Sequence, residues 1–409
     1  MPRRFEIAAL AVLLVLALAA PAAARPLCGT PDALAGHLPD HAPIPTSSTG
    51  REDGKGLLYQ PLSGRLDGKN VSVQWAGDDG DAAMAGVLVD ALEAGWQALI
   101  GEQGWPAPAG GDDYLLLVVL DPSIEASGLT AEFAHDDVPE GAPVIYIHPD
   151  NIDNEPFFRS VAVHELHHAI QYRMRGSWAA DDAEAWYWEA SAEWAAERAA
   201  PDLDMYANSA QWFTQRPFAR FDSQFNFHQY GMFLLNAWLE EEQAGPDAMR
   251  AVWERAGEGD PWDELLVDVA GLEAPQLWAG FVGAVGQETL RESSLYMPVA
   301  VSGPVTGSLT EELPYLGARF YSADRDGRVR AEGDVLLTAP GGVGIEVPVE
   351  SGDLVAAVGR TDGAVYTLAY VDSDTDGGPE PPGGRACNGP AAALLLLGPC
   401  ALRRRRITS

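Results

Sequence analysis

Apolar and polar positions change period several times along this chain, and each change marks a different kind of element. Ile7 to Ala20 is an almost unbroken apolar run. Val71-Ser-Val-Gln-Trp75 alternates as a strand does. From Ala82 to Ile100, the residues Met84, Val87, Leu88, Ala91, Leu92, Trp96 and Leu99 recur at helical spacing and predict an amphipathic helix. Tyr114 to Leu120 and Val144 to His148 are short apolar runs that predict buried strands. Phe157 to Gln171, mostly apolar and without Gly or Pro, predicts a buried helix that Gly176 stops. A second helix is predicted over Asp181 to Arg198, capped by Asp181 or Asp182, and a third over Phe225 to Leu239. Residues 246 to 292 keep the helical period. From Met297 to Asp372 it becomes that of strands broken by Asp-Gly and Gly-Gly turns, among them Ala318-Arg-Phe-Tyr321, Leu354-Val-Ala-Ala-Val358 and Val365 to Val371.

These elements predict an α+β chain with a largely helical domain followed by a small all-β, sandwich-like domain. Arg3 and Arg4, the apolar run and Pro21-Ala-Ala-Ala24 have the plan of a secretory signal peptide over residues 1–24. Residues 25–61, rich in Pro, Gly, Asp and Ser, read as a lead-in loop or pro-like segment. Residues 62–295 form the main domain and 296–371 the all-β domain. An acidic Gly/Pro linker follows over 372–390, then a hydrophobic and Arg-rich tail over 391–409. Asp372-Ser-Asp-Thr-Asp-Gly377 opens like a calcium loop, but Gly383 stands where the bidentate glutamate belongs. With 409 residues, 47% hydrophobic and 21% charged, the chain can bury at least one large core. The formal net charge of −34 argues against nucleic acid or an anionic membrane as partner and suits a soluble exported protein or a high-salt habitat. Three cysteines build no disulfide framework, although Cys28 and Cys387 could pair in an oxidising compartment.

The chemistry is concentrated in His164-Glu165-Leu166-His167-His168, an H-E-x-x-H pattern. On a helix, residues four apart share a face, so His164 and His168 can converge on one zinc ion with Glu165 beside it. Such an ion, held by three protein ligands, keeps a position for water and acidifies it, and Glu165 would serve as the general base. His167 adds an ambiguity, which the peptidase pattern resolves in favour of His168. Downstream, Glu189, Glu193 and Glu197 form an i, i+4 row beside Trp186, Trp188 and Trp194. His135 and His148, next to strands, read as structural.

An H-E-x-x-H helix followed by Trp188-Glu-Ala-Ser-Ala-Glu-Trp194 resembles the gluzincin clan of zinc peptidases. The resemblance implies a zincin-like fold, Zn2+ as cofactor, Glu189 as third ligand and Glu193 as a carboxylate that orients a ligand histidine. It implies that the last strand before the motif helix, Val144 to His148, edges the cleft and pairs with the substrate backbone. The Phe225 to Leu239 segment resembles the Y-x-x-x-F-x-x-x-L helix that follows the zinc helices in several gluzincin families, which makes Tyr230 the first candidate to stabilise the oxyanion and His228 the second. The tail, Gly383 to Cys387 followed by an apolar stretch and Arg403 to Arg406, resembles the C-terminal sorting tails of exported myxobacterial proteins, implying a transient contact with membrane sorting machinery. The expectation is therefore a secreted or cell-surface zinc metallopeptidase acting on a peptide or protein substrate. Its rivals are a metal-binding surface protein without turnover and a zinc hydrolase of a non-peptide bond. The presence of Glu165 favours an enzyme, since a structural zinc site needs no general base.

Overall fold

The alternating and continuous apolar runs of the first half assemble into one mixed sheet with helices laid against it. In the computed structural model, the described residues are 28, 43–45, 55–77, 81–176, 185–256, 260–305 and 309–371. The expected signal peptide, most of the lead-in, the Asp181 or Asp182 cap, the acidic linker, the tail and Cys387 lie outside them. The first sheet has strands β1 (Gly64–Asp67), β2 (Val71–Trp75), β3 (Leu116–Leu120), β4 (Gly128–His135) and β5 (Val138–Ile147), in the order β1-β2-β3-β5-β4. β2, β3 and β5 are parallel, and β1 and β4 close the two edges antiparallel. Helix α1 (Asp81–Trp96) makes the crossover from β2 to β3 and packs on both β1 and β2.

The edge strand corrects the sequence expectation. Val144 to Ile147 lies inside the sheet, between β3 and β4, and the edge belongs to Gly128–His135. No apolar run marks that strand because Thr130, Glu132 and His135 interrupt it. Two of these polar side chains have partners within the fold: Thr130 Oγ1 lies 3.0 Å from the Glu165 carbonyl, and His135 Nε2 lies 3.0 Å from the Leu58 carbonyl.

Against this sheet lies α2 (Glu155–Arg175). Asn154 caps it by accepting the Phe157 N–H, and Gly176 ends it with a φ of 76°. Every residue from Val161 to Tyr172 is buried, because β4, β5, α1 and the next helix α3 (Ala185–Ala199) surround it. A helix enclosed on all sides carries apolar residues all round, which is why its one polar row stands out. α3 is equally buried from Ala185 to Glu197. Its tryptophans lock it into a wedge of aromatic rings, with Trp188 edge-on to Trp253 at 5.0 Å and Trp253 against Trp262 at 4.7 Å. Beyond α3 come α4 (Tyr206–Thr214), the short α5 (His228–Gly231) and α6 (Phe233–Trp238), then α7 (Ala248–Arg255), α8 (Trp262–Ala270) and α9 (Ala274–Gly286).

The remaining strands form two further sheets. One has the order β11-β10-β13-β8-β6, with β6 Val301–Pro304, β8 Ala318–Ser322, β10 Val335–Ala339, β11 Gly342–Gly344 and β13 Leu354–Gly359. The other has the order β12-β9-β14-β7, with β7 Leu309–Leu313, β9 Gly327–Gly333, β12 Glu346–Val349 and β14 Ala364–Tyr370. Both inner faces supply one sandwich core, including Tyr321, Leu337, Val355, Val329, Val347 and Leu368. The period of two gives the five-stranded sheet a second use: Ala318, Phe320, Ala356 and Val358 point the other way, into the helical core. Helix α9 receives them, and its glycines permit the approach: a Cβ on Gly286 would stand 2.5 Å from Phe320 Cε1 and one on Gly283 2.5 Å from Thr338 Oγ1. Residues 62–295 and 296–371 thus share a core across their expected boundary, within one compact unit that runs to Val371.

This sharing has a measurable consequence. Phe320→Ala should destabilise the whole unit by about 3 to 5 kcal/mol, with tryptophan fluorescence and far-ultraviolet circular dichroism shifting together. A tryptophan transition left unmoved by the substitution would show that the β part unfolds by itself.

Candidate metal centre

The polar row of α2 meets the polar row of α3 inside the core. Four donor atoms, from Cys28, His164, His168 and Glu189, lie within 4.8 Å of one another, and all four residues are buried. His164 Nε2 is 3.1 Å from Glu189 Oε2 and 3.1 Å from His168 Nε2, and His168 Nε2 is 3.6 Å from Glu189 Oε1. Sequence spacing names three of the four. Cys28 was missed: its Sγ sits 3.4 Å from His168 Nε2, and no local pattern in the sequence connects two residues so far apart along the chain.

Each histidine is held from behind, and the partner decides which nitrogen is protonated. Gln171 Nε2 donates to the Trp188 carbonyl at 3.1 Å and to Ser191 Oγ at 2.9 Å, which fixes the orientation of the amide. Gln171 Oε1 can then only accept, so at 2.6 Å it accepts a hydrogen bond from His168 Nδ1–H, which keeps the proton on Nδ1 and leaves a lone pair on Nε2. Glu193 does the same for His164: its carboxylate accepts from Ser209 Oγ at 2.5 Å and meets His164 Nδ1 at 3.3 Å. Gln171 is a supporting residue that the motif did not reveal. Its signal was present, since it stands one turn beyond His167 and His168 on a helix otherwise apolar at that depth.

Two imidazole lone pairs and a carboxylate therefore face one another. Burial opposes a charge on His164, but Glu189 and Glu193 overcome it and raise its pKa to about 10. Burial likewise works against the Glu189 carboxylate, yet His168 and His164 hold it below the usual carboxylate range. Either a proton or a metal ion has to sit among these atoms. The donor set fits a metal: Glu189 Oε1 has no hydrogen-bond partner among the described residues, and two nitrogens, an oxygen and a sulfur suit a tetrahedral ion. Nitrogen ligands about 2.0 to 2.1 Å from such an ion would lie about 3.3 Å apart, close to the separations observed.

The other sequence candidates fall around this centre. Glu165 is buried beside it. Thr130 Oγ1 donates to its Oε2 at 2.7 Å, and a Cβ on Gly128 would stand 2.6 Å from its Oε1, so only glycine lets the edge strand lie so close. The Tyr230 hydroxyl accepts the Cys28 N–H at 3.2 Å, and its ring lies 6.1 Å from that of His164. Burial, then the Glu189 charge, push the Tyr230 hydroxyl well above its ordinary value and keep it protonated. His228 places Nδ1 3.3 Å from the Trp212 carbonyl and packs on Phe213, and burial lowers its pKa to about 4. It does not join the four-residue cluster. Nor does His167, which stands edge-on to Trp105 at 4.8 Å and is kept neutral by burial. His148 accepts the Asp150 N–H and caps a short 3-10 turn.

A cavity of about 210 Å3 opens beside His164 and Glu193, lined by Phe157, Val161, Met205, Trp212 and Phe227. Phe227 has a φ of 62°, a conformation that a bulky side chain rarely adopts. It turns the chain into α5 just before His228 and Tyr230.

Glu197, the last carboxylate of the row, behaves differently. Burial, then repulsion from Glu292, raise its pKa from 4.5 to about 9. It is protonated in the fold at neutral pH and ionised in the unfolded chain. Stability linked to that proton is complete below about pH 4.5 and is lost as pH rises through about 9. Glu197→Gln should therefore stabilise the protein at pH 8 by on the order of 1 to 3 kcal/mol and flatten the fall in Tm between pH 5 and 8. An unchanged pH profile would remove Glu197 from that role.

Compared with known proteins, residues 88–279 match the model of a family described as "Family of unknown function (DUF6055)". The match runs from within α1 to within α9 and takes in His164, Glu165, His168, Glu189 and Tyr230, whereas Cys28 and the two later sheets lie outside it. No curated protein matches the chain.

Proposed function

We propose that the protein is a zinc-dependent metallopeptidase of zincin-like, gluzincin type, exported and acting on peptide or protein substrates. The observation that carries this reading is the pairing of two helix-borne histidines with Glu189 while a second carboxylate, Glu165, stands beside them between α2 and the edge strand. His164, His168 and Glu189 would hold the ion. When bound, zinc supplies a Lewis acid that polarises the scissile carbonyl and acidifies a water.

The chain's own groups would do the rest. An extended peptide would add to β4, the edge strand of the sheet, through backbone hydrogen bonds. Glu165, oriented by Thr130, takes a proton from the attacking water and returns it to the leaving amine nitrogen. The Tyr230 hydroxyl, kept neutral, donates a hydrogen bond to the carbonyl oxygen as charge develops on it. Gln171 and Glu193 hold the two imidazoles so that Nε2 of each faces the ion. The apolar cavity beside His164 would seat one large apolar side chain next to the scissile bond. A metal-binding surface protein without turnover needs neither Glu165 nor Tyr230 at this place, which favours the enzyme.

The metal content of the purified chain is the first test. About one zinc per chain is expected, retained in Glu165→Gln while turnover of a peptide library falls about 100- to 10,000-fold, and lost in Glu189→Ala. Retained activity in Glu165→Gln would sink the mechanism, and a well-folded chain that binds no zinc would sink the reading as a whole. For specificity, Asn208 also lines the cavity, and Asn208→Trp, which fills it, should lower kcat/KM about tenfold or more for substrates with Leu or Phe next to the cleaved bond. Substrates with Ala there should change little, and an equal loss on both would separate the cavity from specificity.

A further inference from the structure

Cys28 brings together three things that a substrate would need. Its Sγ joins His164, His168 and Glu189 in the donor cluster, 3.4 Å from His168 Nε2. Its backbone N–H is donated to the Tyr230 hydroxyl at 3.2 Å. It also forms a parallel bridge with Gly128, the first residue of the edge strand, whose close approach to Glu165 has been described. One residue thus covers the fourth ligand position, the oxyanion donor and the start of the edge on which a peptide would lie. The carboxylate of Glu189, fully buried and with no hydrogen-bond partner on Oε1 among the described residues, points into the same centre and marks it as a cation site independently of the sulfur.

The four donors differ in how they are held. His164, His168 and Glu189 stand in the middle of long buried helices, and at least the two histidines have further partners behind them. Cys28 instead meets the sheet through an isolated parallel bridge to Gly128. A structural zinc site fills all four positions with protein ligands, whereas a catalytic one has three and leaves the fourth to water or substrate. Here three stand on the packed helices α2 and α3, and the fourth, Cys28, lies more than a hundred residues before them in the chain.

Resting on the metallopeptidase reading, we propose that Cys28 is a removable fourth ligand that keeps the enzyme latent. The thiolate would occupy the ion's fourth position and exclude water, while its backbone occupies Tyr230 and the Gly128 edge. Activation would follow from hydrolysis of a peptide bond on the C-terminal side of Cys28. One water is consumed: its hydroxyl goes to the new carboxyl end and its proton to the new amine. The released segment then carries the thiol away and leaves the position to solvent. Because the thiol is tethered, its effective concentration at the site is in the millimolar range or above. A free peptide substrate at ordinary concentration therefore displaces it poorly.

The test uses the full chain loaded with Co2+ in place of zinc, and the Cys28→Ala and Cys28→Ser variants. In the unaltered chain a thiolate-to-cobalt charge-transfer band is expected in the near ultraviolet, with about one cobalt per chain. Both variants should keep the cobalt and lose the band, and their zinc forms should cleave a peptide library about tenfold faster or more than the unaltered zinc form. One cobalt per chain without the band would overturn the proposal and leave the peptidase reading standing. The band in the unaltered chain with loss of cobalt in both variants would make Cys28 a permanent ligand and overturn latency. Retained cobalt, lost band and no gain in cleavage, in a protein whose Glu165→Gln form is slower still, would equally overturn it. A folded chain that binds neither metal would bring down the peptidase reading first.

Discussion

Two imidazole lone pairs and a carboxylate cannot be sealed together in a protein interior without a cation among them. Taking an ionised carboxylate out of water costs several kcal/mol, which only a close opposite charge and good hydrogen bonds offset. At the meeting of α2 and α3 that charge is either a proton on His164 or a metal ion. The rest of the helical half is arranged so that this junction stays dry and fixed. α2 is enclosed by the sheet, α1 and α3, and α3 is wedged by Trp188, Trp253 and Trp262. Such packing leaves the ligating side chains few rotamers, and Gln171 and Glu193 remove the remaining choice of tautomer. Rigidity here comes from ring packing and its polar outcome from two hydrogen bonds.

The β part contributes to that rigidity from a distance. Its five-stranded sheet puts alternate residues into two cores, so Phe320 and Val358 support α9 while Tyr321 and Val355 fill the sandwich. The pattern of short strands was legible in the sequence, and so was the change of period near Met297. That this change is not a boundary between independent bodies was not legible. The reason is that alternation with apolar residues on both faces looks the same whether the second face meets solvent-excluding loops, another sheet or a helix. Only the spacing of Gly280, Gly283 and Gly286 on α9 hinted at a close neighbour, and glycines at a helical spacing of three have other uses.

At the site itself, legibility followed locality. His164, Glu165 and His168 are readable because one helical turn relates them, and the row from Glu189 to Glu197 because two turns do. Gly128 to His135 was not read as a strand, although Leu129, Ala131 and Phe133 alternate there with Thr130 and Glu132, because it has no continuous apolar run like those of its neighbours β3 and β5. Tyr230 and His228 could be ranked only by resemblance, and the coordinates separate them: the Tyr230 hydroxyl reaches the residue that reaches the cluster, while His228 bonds to Trp212. Cys28 was beyond sequence reasoning altogether. Metal-ligand spacing rules describe ligands carried by one small loop or helix, and nothing in them relates a thiol near the start of the chain to a helix that begins more than a hundred residues later.

The placement of Cys28 also bears on how the proposed hydrolytic centre would be controlled. A dry site preorganised on two helices has no conformational step left by which to be switched off, since moving either helix would expose the aromatic core. Control has to come from something that enters the site from outside the helical scaffold. The edge strand brings backbone close to the centre at Gly128. Gly128, with no side chain of its own, is where a second backbone comes closest to Glu165. A residue that pairs there, as Cys28 does, meets both the Tyr230 hydroxyl and the cluster, beside Glu165. Substrate and the Cys28 segment would therefore compete for the same hydrogen-bonding edge, and the preorganisation that favours the one favours the other equally. The advantage of the thiol lies in its tether, which is lost as soon as the chain is cut.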